Sequence, residues 1–271
     1  MKPELQRRVQ RYGWDKAAGY YDNSWREQLK PARDRLMETA ELKAGERVLE
    51  TACGSGLVTF RIAAETGPEG EVVATDISGE MVEQAKNENG SQHTRNISFM
   101  RMDAGQLELD DDQFDAALCC LGIMYMPDPL TSMQEMYRVL KPGGRAVVAI
   151  WGERKNCGWA DIFPIVDNKV ASDVCPMFFQ QGTGNTMEYT FREAGFRDIE
   201  SSRFNVNLHF TSPEHLLTAA FLGGPVALAY NKFDELTREE AHQEYLDSVA
   251  PYHNGAGYDI PGEFLVVKGY K

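Results

Sequence analysis

Residues 50–56 read Glu-Thr-Ala-Cys-Gly-Ser-Gly, a carboxylate followed by two closely spaced glycines. Glycine lets a chain turn tightly and lets a ligand lie against bare backbone. A helix beginning just after such a loop adds free N–H groups and the positive end of its dipole. Alone the motif is weak, and Thr59 stands where a dinucleotide loop would carry its third glycine. Asp76, 20 residues beyond Gly56, can accept hydrogen bonds from both hydroxyls of an adenosine ribose, a trait shared with nicotinamide dinucleotide sites. Glu50 and Asp103 separate the two ligands. A carboxylate beside the glycines repels a pyrophosphate but suits the ammonium of a methionine moiety, and Asp103 with Ala104 is placed to take an adenine amino group. The constellation therefore favours S-adenosylmethionine (SAM) over NAD.

These residues need strands and helices to bring them together, and the apolar periodicity supplies them. Strands are expected at Arg47–Thr51, Glu71–Asp76, Ile97–Met102, Phe114–Leu121 and Arg145–Trp151. Helices are expected at Leu57–Glu65, after Ser78 as N-cap, and over Asp128–Leu140, with Lys141-Pro-Gly-Gly144 stopping the last. Strands alternating with helices give right-handed crossovers and a mostly parallel sheet, whose ligand crevice lies at the strands' carboxyl ends. Glu50, Asp76, Asp103 and Cys120 all fall there. Beyond Trp151 the pattern gives helices at 158–170 and 187–194, a strand at 196–210, helices at Ser212–Leu222 and Leu236–Val249 (the latter opened by Thr237), and a closing strand at Pro261–Tyr270.

The segments VLETACGSG (48–56), VVATDIS (72–78), MDA (102–104), FDAALCCLGIMYMPDP (114–129) and LKPGG (140–144) together resemble class I SAM-dependent methyltransferases of the methyltransferase type 11 kind. The resemblance is strongest to the group of ubiquinone and menaquinone C-methyltransferases and runs from about Trp14 to Trp151. It implies a doubly wound, mostly parallel seven-stranded sheet of the Rossmann-like α/β class, with a helical cap in the C-terminal half. It also implies three tracts: 1–45 covering the cofactor, 46–151 binding it, and 152–271 completing the sheet and capping the substrate. By the same resemblance the loop with Ala52, Gly54 and Gly56 cradles the methionine part, Asp76 holds the ribose, Ile77 and Met81 flank the adenine, and Asp103 with Ala104 reads its amino group. The backbone near Cys120 approaches the sulfonium. Ala52 departs from a common glycine. The segment with Trp14, Tyr20 and Tyr21 is similar to one that folds over the cofactor, and Tyr125 stands where relatives often have histidine.

Methyl transfer is an in-line displacement that needs alignment and exclusion of water, and no covalent nucleophile. Tyr125 and Tyr20 are the candidate catalytic residues, and His209, His215, His242 and His253 are further groups able to take a proton. Trp151, Trp159, Phe163, Phe178, Phe179 and Phe221 could wall an apolar acceptor chamber. Lys and Arg total 28 against 41 Asp and Glu, a formal net charge of −13. That surface repels phosphate backbones and argues against nucleic acid, with Lys2–Arg11 the best basic run. The five cysteines suggest neither a disulfide framework nor a metal site, and no stretch approaches a membrane span or signal peptide. A cytoplasmic monomer or homodimer acting on a small molecule is expected. An NAD-type oxidoreductase and a non-catalytic SAM-binding regulator stand as alternatives.

Overall fold

The computed structural model describes residues 3–92, 94–170, 175 and 177–271. Lys2, where the basic run begins, lies outside them. Two helices, α1 (Pro3–Trp25) and α2 (Lys30–Ala40), lead into an alternating core: β1 (Arg47–Thr51), α3 (Thr59–Thr66), β2 (Glu71–Asp76), α4 (Gly79–Gln92), β3 (Ile97–Arg101), β4 (Phe114–Cys120), α5 (Pro129–Val139) and β5 (Leu140–Trp151). Then follow α6 (Ile162–Asp167), α7 (Thr186–Glu193), β6 (Arg197–Phe210), α8 (Pro213–Phe221), α9 (Ala227–Tyr230), α10 (Glu235–Val249) and β7 (Tyr258–Tyr270).

The strands form one seven-stranded sheet in the order β3-β2-β1-β4-β5-β7-β6. The first five are parallel, and β7 runs antiparallel between β5 and β6. Because side chains alternate along a strand, each strand feeds both faces. Val48, Val72, Ala116, Leu118, Val147 and Ala149 pack under Leu36, Val58 and Ile62 on one side. Leu49, Val73, Ala117, Cys119 and Val148 join Met133, Met136 and Val139 on the other. Burial on both faces explains the near-continuous apolar run of β4. The strand order reverses between β1 and β4, the switch point that opens a crevice above their carboxyl ends.

Local signals account for most element ends. Ser78 Oγ accepts from Met81 N, Asp128 caps α5 through Thr131 N, Ser212 caps α8 through His215 N, and Gly195 takes a left-handed φ of 107° after α7. Two expectations need correction. Asp234, not Thr237, opens α10: its carboxylate accepts from Thr237 N, so Thr237 is the third residue of the helix. The helix expected over 158–170 is confined to Ile162–Asp167, because residues 158–161 form turns closed by bonds such as Ala160 N to Cys157 O. Among the described residues no helix is long and apolar enough to cross a membrane.

Candidate active site

A cleft of about 740 Å³ opens at the carboxyl ends of β1, β2 and β4. The structure brings Trp14, Tyr21, Ala52, Gly54, Asp76, Ile77, Met81, Asp103, Ala104, Cys120 and Tyr125 together on its walls. Its floor is the β1–α3 loop. Gly54 has a φ of 54° and a Cβ added there would meet no protein atom within 4 Å, so the loop presents bare backbone to open space. Ala52 (φ 55°) and Leu121 (φ 58°) hold left-handed conformations without being glycine, which costs about 1–3 kcal/mol each and is characteristic of functional loops. Gly122 has no room for a side chain: its Cβ would sit 2.3 Å from that of Ala52.

Asp76 Oδ2 accepts from Gly54 N at 2.9 Å and Oδ1 from Ser78 N at 2.8 Å. A carboxylate offers about four lone-pair sites, so these two bonds fix its plane and leave capacity for ribose hydroxyls. Burial pushes its pKa up to about 6, against the pull of the two backbone N–H groups. Glu50 lies one pocket deeper, in a recess of about 350 Å³ that shares Tyr21, Ala52, Gly54 and Cys120 with the cleft. Burial raises its pKa to about 8, opposed by the hydroxyl donated by Thr59.

The same recess holds Arg33 of α2, which no sequence signal singled out from the other arginines of residues 26–35. Its side chain is buried and donates to the Arg26 carbonyl. Among the described residues no carboxylate pairs with it. A buried cation lacking a counter-charge is costly, and here it faces the glycine loop, where a carboxylate-bearing ligand would complete it.

Helix α1 lies across the cleft, held at three points. Arg7 pairs with Asp103 at 2.8 Å, Asp15 accepts from Ser78 Oγ at 2.6 Å, and Asp22 accepts from Ser55 Oγ at 2.5 Å. The Arg7 contact was not foreseen; it takes one oxygen of Asp103 while the other accepts from Gly105 N at 2.8 Å.

A second chamber of about 550 Å³ abuts the cleft and shares Trp14, Tyr21, Leu121 and Tyr125 with it. Its remaining wall includes Trp25, Trp151, Trp159, Phe163, Phe178, Tyr245 and the small residues Gly223 and Gly224. Trp14 meets Tyr21 and Tyr125 edge-on at 5.7 and 5.1 Å, forming a collar between the two spaces.

Several expected site residues fall elsewhere. Tyr20 is 45% exposed, since one step along α1 from Tyr21 turns it to the outer face. Gly56 (φ 90°) is packed behind the loop, where its Cβ would lie 3.0 Å from the Phe60 ring; it shapes the turn without lining the cleft. Phe221 is fully buried against Tyr230 and Tyr245, and Phe179 meets Phe178 edge-on; neither borders the chamber. Among the described residues no histidine lines either space: His209 pairs with Asp259, His215 bonds Thr211, His242 bonds Tyr230 and His253 packs on Tyr258. Burial holds the phenols of Tyr21 and Tyr125 well above their ordinary pKa, so at neutral pH they stay protonated and can donate hydrogen bonds but do not act as bases.

Known proteins match this arrangement. The model of the ubiE/COQ5 methyltransferase family covers residues 25–178. A demethylmenaquinone methyltransferase of Staphylococcus carnosus is 36% identical over 192 residues, 66% of this chain and 79% of that protein. The fold is shared with a Bacillus halodurans protein described as a putative methyltransferase (TM-score 0.60, 21% identity, 88% of this chain and 98% of that one). It is shared too with the phosphoethanolamine N-methyltransferase 2 of Haemonchus contortus in complex with S-adenosyl-L-methionine (TM-score 0.60, 18% identity, 95% and 57%). A glycine loop open to the cleft, a buried carboxylate at the end of β2 and the matched family sequence agree: the chain belongs to the ubiE/COQ5 methyltransferase family and is an enzyme that uses S-adenosyl-L-methionine to methylate a small molecule.

Proposed function

We propose that the chain transfers the methyl group to a flat, apolar acceptor held in the aromatic chamber. One observation carries this reading: the cofactor cleft and the chamber meet at a collar of Trp14, Tyr21, Leu121 and Tyr125. S-adenosyl-L-methionine supplies a methyl carbon activated by a positive sulfur. Asp76 would bind the ribose hydroxyls, Ile77 and Met81 would flank the adenine, and Asp103 with Ala104 would read its amino group. Glu50 and Arg33 would face the ammonium and carboxylate of the methionine tail, with Ala52 and Gly54 giving backbone contact. Trp14 and Tyr21 would fold over the cofactor, and the backbone at Cys120 and Leu121 would lie near the sulfur.

Tyr125 orients the acceptor as a donor and wall, and the collar excludes water so that competing hydrolysis is suppressed. The Staphylococcus relative is named for demethylmenaquinone, a name compatible with a planar acceptor. However, the family match ends at residue 178, and Ala219, Ala220, Gly223, Gly224, Pro225, Val226 and Tyr245 of the chamber lie beyond it, so the acceptor of this chain is read from its own walls. The acidic balance supports a small molecule rather than nucleic acid as the acceptor, and the same reading keeps the chain a cytoplasmic monomer or homodimer. The test is turnover: S-adenosylhomocysteine should be released with planar apolar acceptors and not with polar aliphatic ones. Release with neither class would refute the reading.

A further inference from the structure

We infer that Gly224 sets how large an acceptor the aromatic chamber admits, because the space its missing side chain leaves open belongs to the chamber. This rests on the reading of the chamber as the acceptor site. Most of the walls are rings or aliphatic side chains, but the stretch that ends α8 contributes Ala219, Ala220, Gly223 and Gly224, the smallest residues on the perimeter. The two glycines differ. A Cβ added at Gly223 would lie 2.9 Å from Ser24 Cβ and 3.2 Å from Trp25 Cδ1, so there the absent side chain lets α1 pack on the loop. A Cβ added at Gly224 would meet only the Ala219 and Ala220 carbonyl oxygens, at 3.7 and 4.0 Å, which is ordinary contact. Gly224 is nevertheless buried. A buried position with open room at Cβ faces an internal void, which close-packed interiors seldom keep, and the void that Gly224 lines is the chamber. Nor does its backbone hold a left-handed φ, so neither conformation nor crowding by the protein demands glycine there.

The wall cannot move aside to restore that room. Gly223 N donates to Thr218 O at 2.9 Å, Ala227 N to Gly224 O at 3.1 Å and Trp25 Nε1 to Ala219 O at 3.1 Å, which pins the turn to α8, α9 and α1. The rings of the chamber brace one another as well: Phe163 and Phe178 lie 4.7 Å apart between centroids, and Trp159 meets Phe178 at 5.6 Å. In surroundings this tightly held, an added methyl or isopropyl group at position 224 takes its volume from the ligand. The effect is selective by size, since a small acceptor can shift within the chamber and one that fills it cannot. Gly224 lines the chamber and not the cofactor cleft, so the cofactor is untouched.

The test compares acetophenone with 2-acetonaphthone, one ring and two bearing the same acyl group, titrated into the S-adenosylhomocysteine-loaded protein by calorimetry. The ratio of two-ring to one-ring affinity should fall about tenfold in Gly224→Val, with Gly224→Ala in between. Unchanged S-adenosylhomocysteine affinity in the variants reports an intact fold. On the wild-type protein labelled with ¹⁵N-glycine, the Gly224 amide signal should shift when 2-acetonaphthone binds, and that of Gly45, before β1 at the opposite ends of the strands, should not. That readout stands even where a variant fails to fold. A ratio unchanged in both variants, or a Gly224 amide indifferent to the two-ring ligand, overturns the assignment. If neither compound binds while S-adenosylhomocysteine does, the chamber reading itself fails and takes this inference with it.

Discussion

Acidification should weaken cofactor binding through Asp76. Ribose hydroxyls donate to the ionised carboxylate, so affinity follows its ionised fraction in the ligand-free protein. With burial placing the group at about 6, that fraction falls from about ten elevenths at pH 7 to about one eleventh at pH 5, a roughly tenfold loss of affinity. Glu50, raised to about 8, would add its own slope with a ligand carrying the ammonium it faces, so the Asp76 effect is read with adenosine, which has the ribose but no ammonium. Among the described residues no histidine lines the cleft. Asp76→Asn removes the titration. It also sets an amide nitrogen against one of the two N–H donors, Gly54 N or Ser78 N, so at pH 7 it should weaken binding by about 2 kcal/mol, roughly thirtyfold. Isothermal titration of adenosine at pH 5, 6, 7 and 8 with both proteins measures each effect. A wild-type affinity that is flat from pH 7 to 5, or a slope that persists in the asparagine variant, would refute the assignment of the ribose to this carboxylate.

Other predictions follow from neighbouring groups. Both Asp76 and Glu50 have folded pKa values raised above their ordinary 3.8 and 4.5, so each adds stability at low pH that is lost as pH rises through about 6 and about 8 respectively. The ligand-free protein should therefore melt at lower temperature at pH 9 than at pH 6, with Glu50→Gln flattening the upper part of the decline in calorimetric scans. Arg33→Met should weaken S-adenosyl-L-methionine by about 1.5–3 kcal/mol yet leave adenosine affinity unchanged; equal losses for the two ligands would remove Arg33 from the methionine end. Gly122→Ala, which places a methyl 2.3 Å from Ala52 Cβ, should cost about 1–3 kcal/mol in urea denaturation, and an unaffected midpoint would contradict the packing described. With any acceptor that turns over, Tyr125→Phe should leave the pH dependence of kcat unshifted, since the phenol is already protonated; loss of a rise in kcat with pH would restore it as a proton acceptor.

The sheet was legible because its signals are local. β1, β2 and β4 are short apolar runs bounded by glycines and acidic residues, and Ser78, Asp128 and Ser212 cap the next helices within three residues. The cofactor cleft was legible for a related reason: Glu50, Asp76 and Asp103 all sit at strand ends, which the topology brings to one side. What escaped depends on long-range packing. Arg33 and Arg7 look in sequence like any helical arginine, and only the placement of α1 and α2 over the sheet turns them inward. Tyr20 and Tyr21 are chemically equivalent neighbours separated by about 100° of helix rotation, and which of them reaches the cleft depends on the face that α1 buries. The aromatic residues of the C-terminal half announced an apolar chamber, but assigning Trp159 to its wall and Phe221 to the core required knowing how α8 and α10 pack.

The most direct measurement is a crystal structure with S-adenosylhomocysteine bound. Both ribose hydroxyls should lie within hydrogen-bond distance of Asp76, the amino-acid tail should reach the recess of Glu50 and Arg33, and the sulfur should face the Trp14–Tyr125 collar. A ligand bound with its sulfur turned away from the aromatic chamber, or with its ribose held by a residue other than Asp76, would contradict the account.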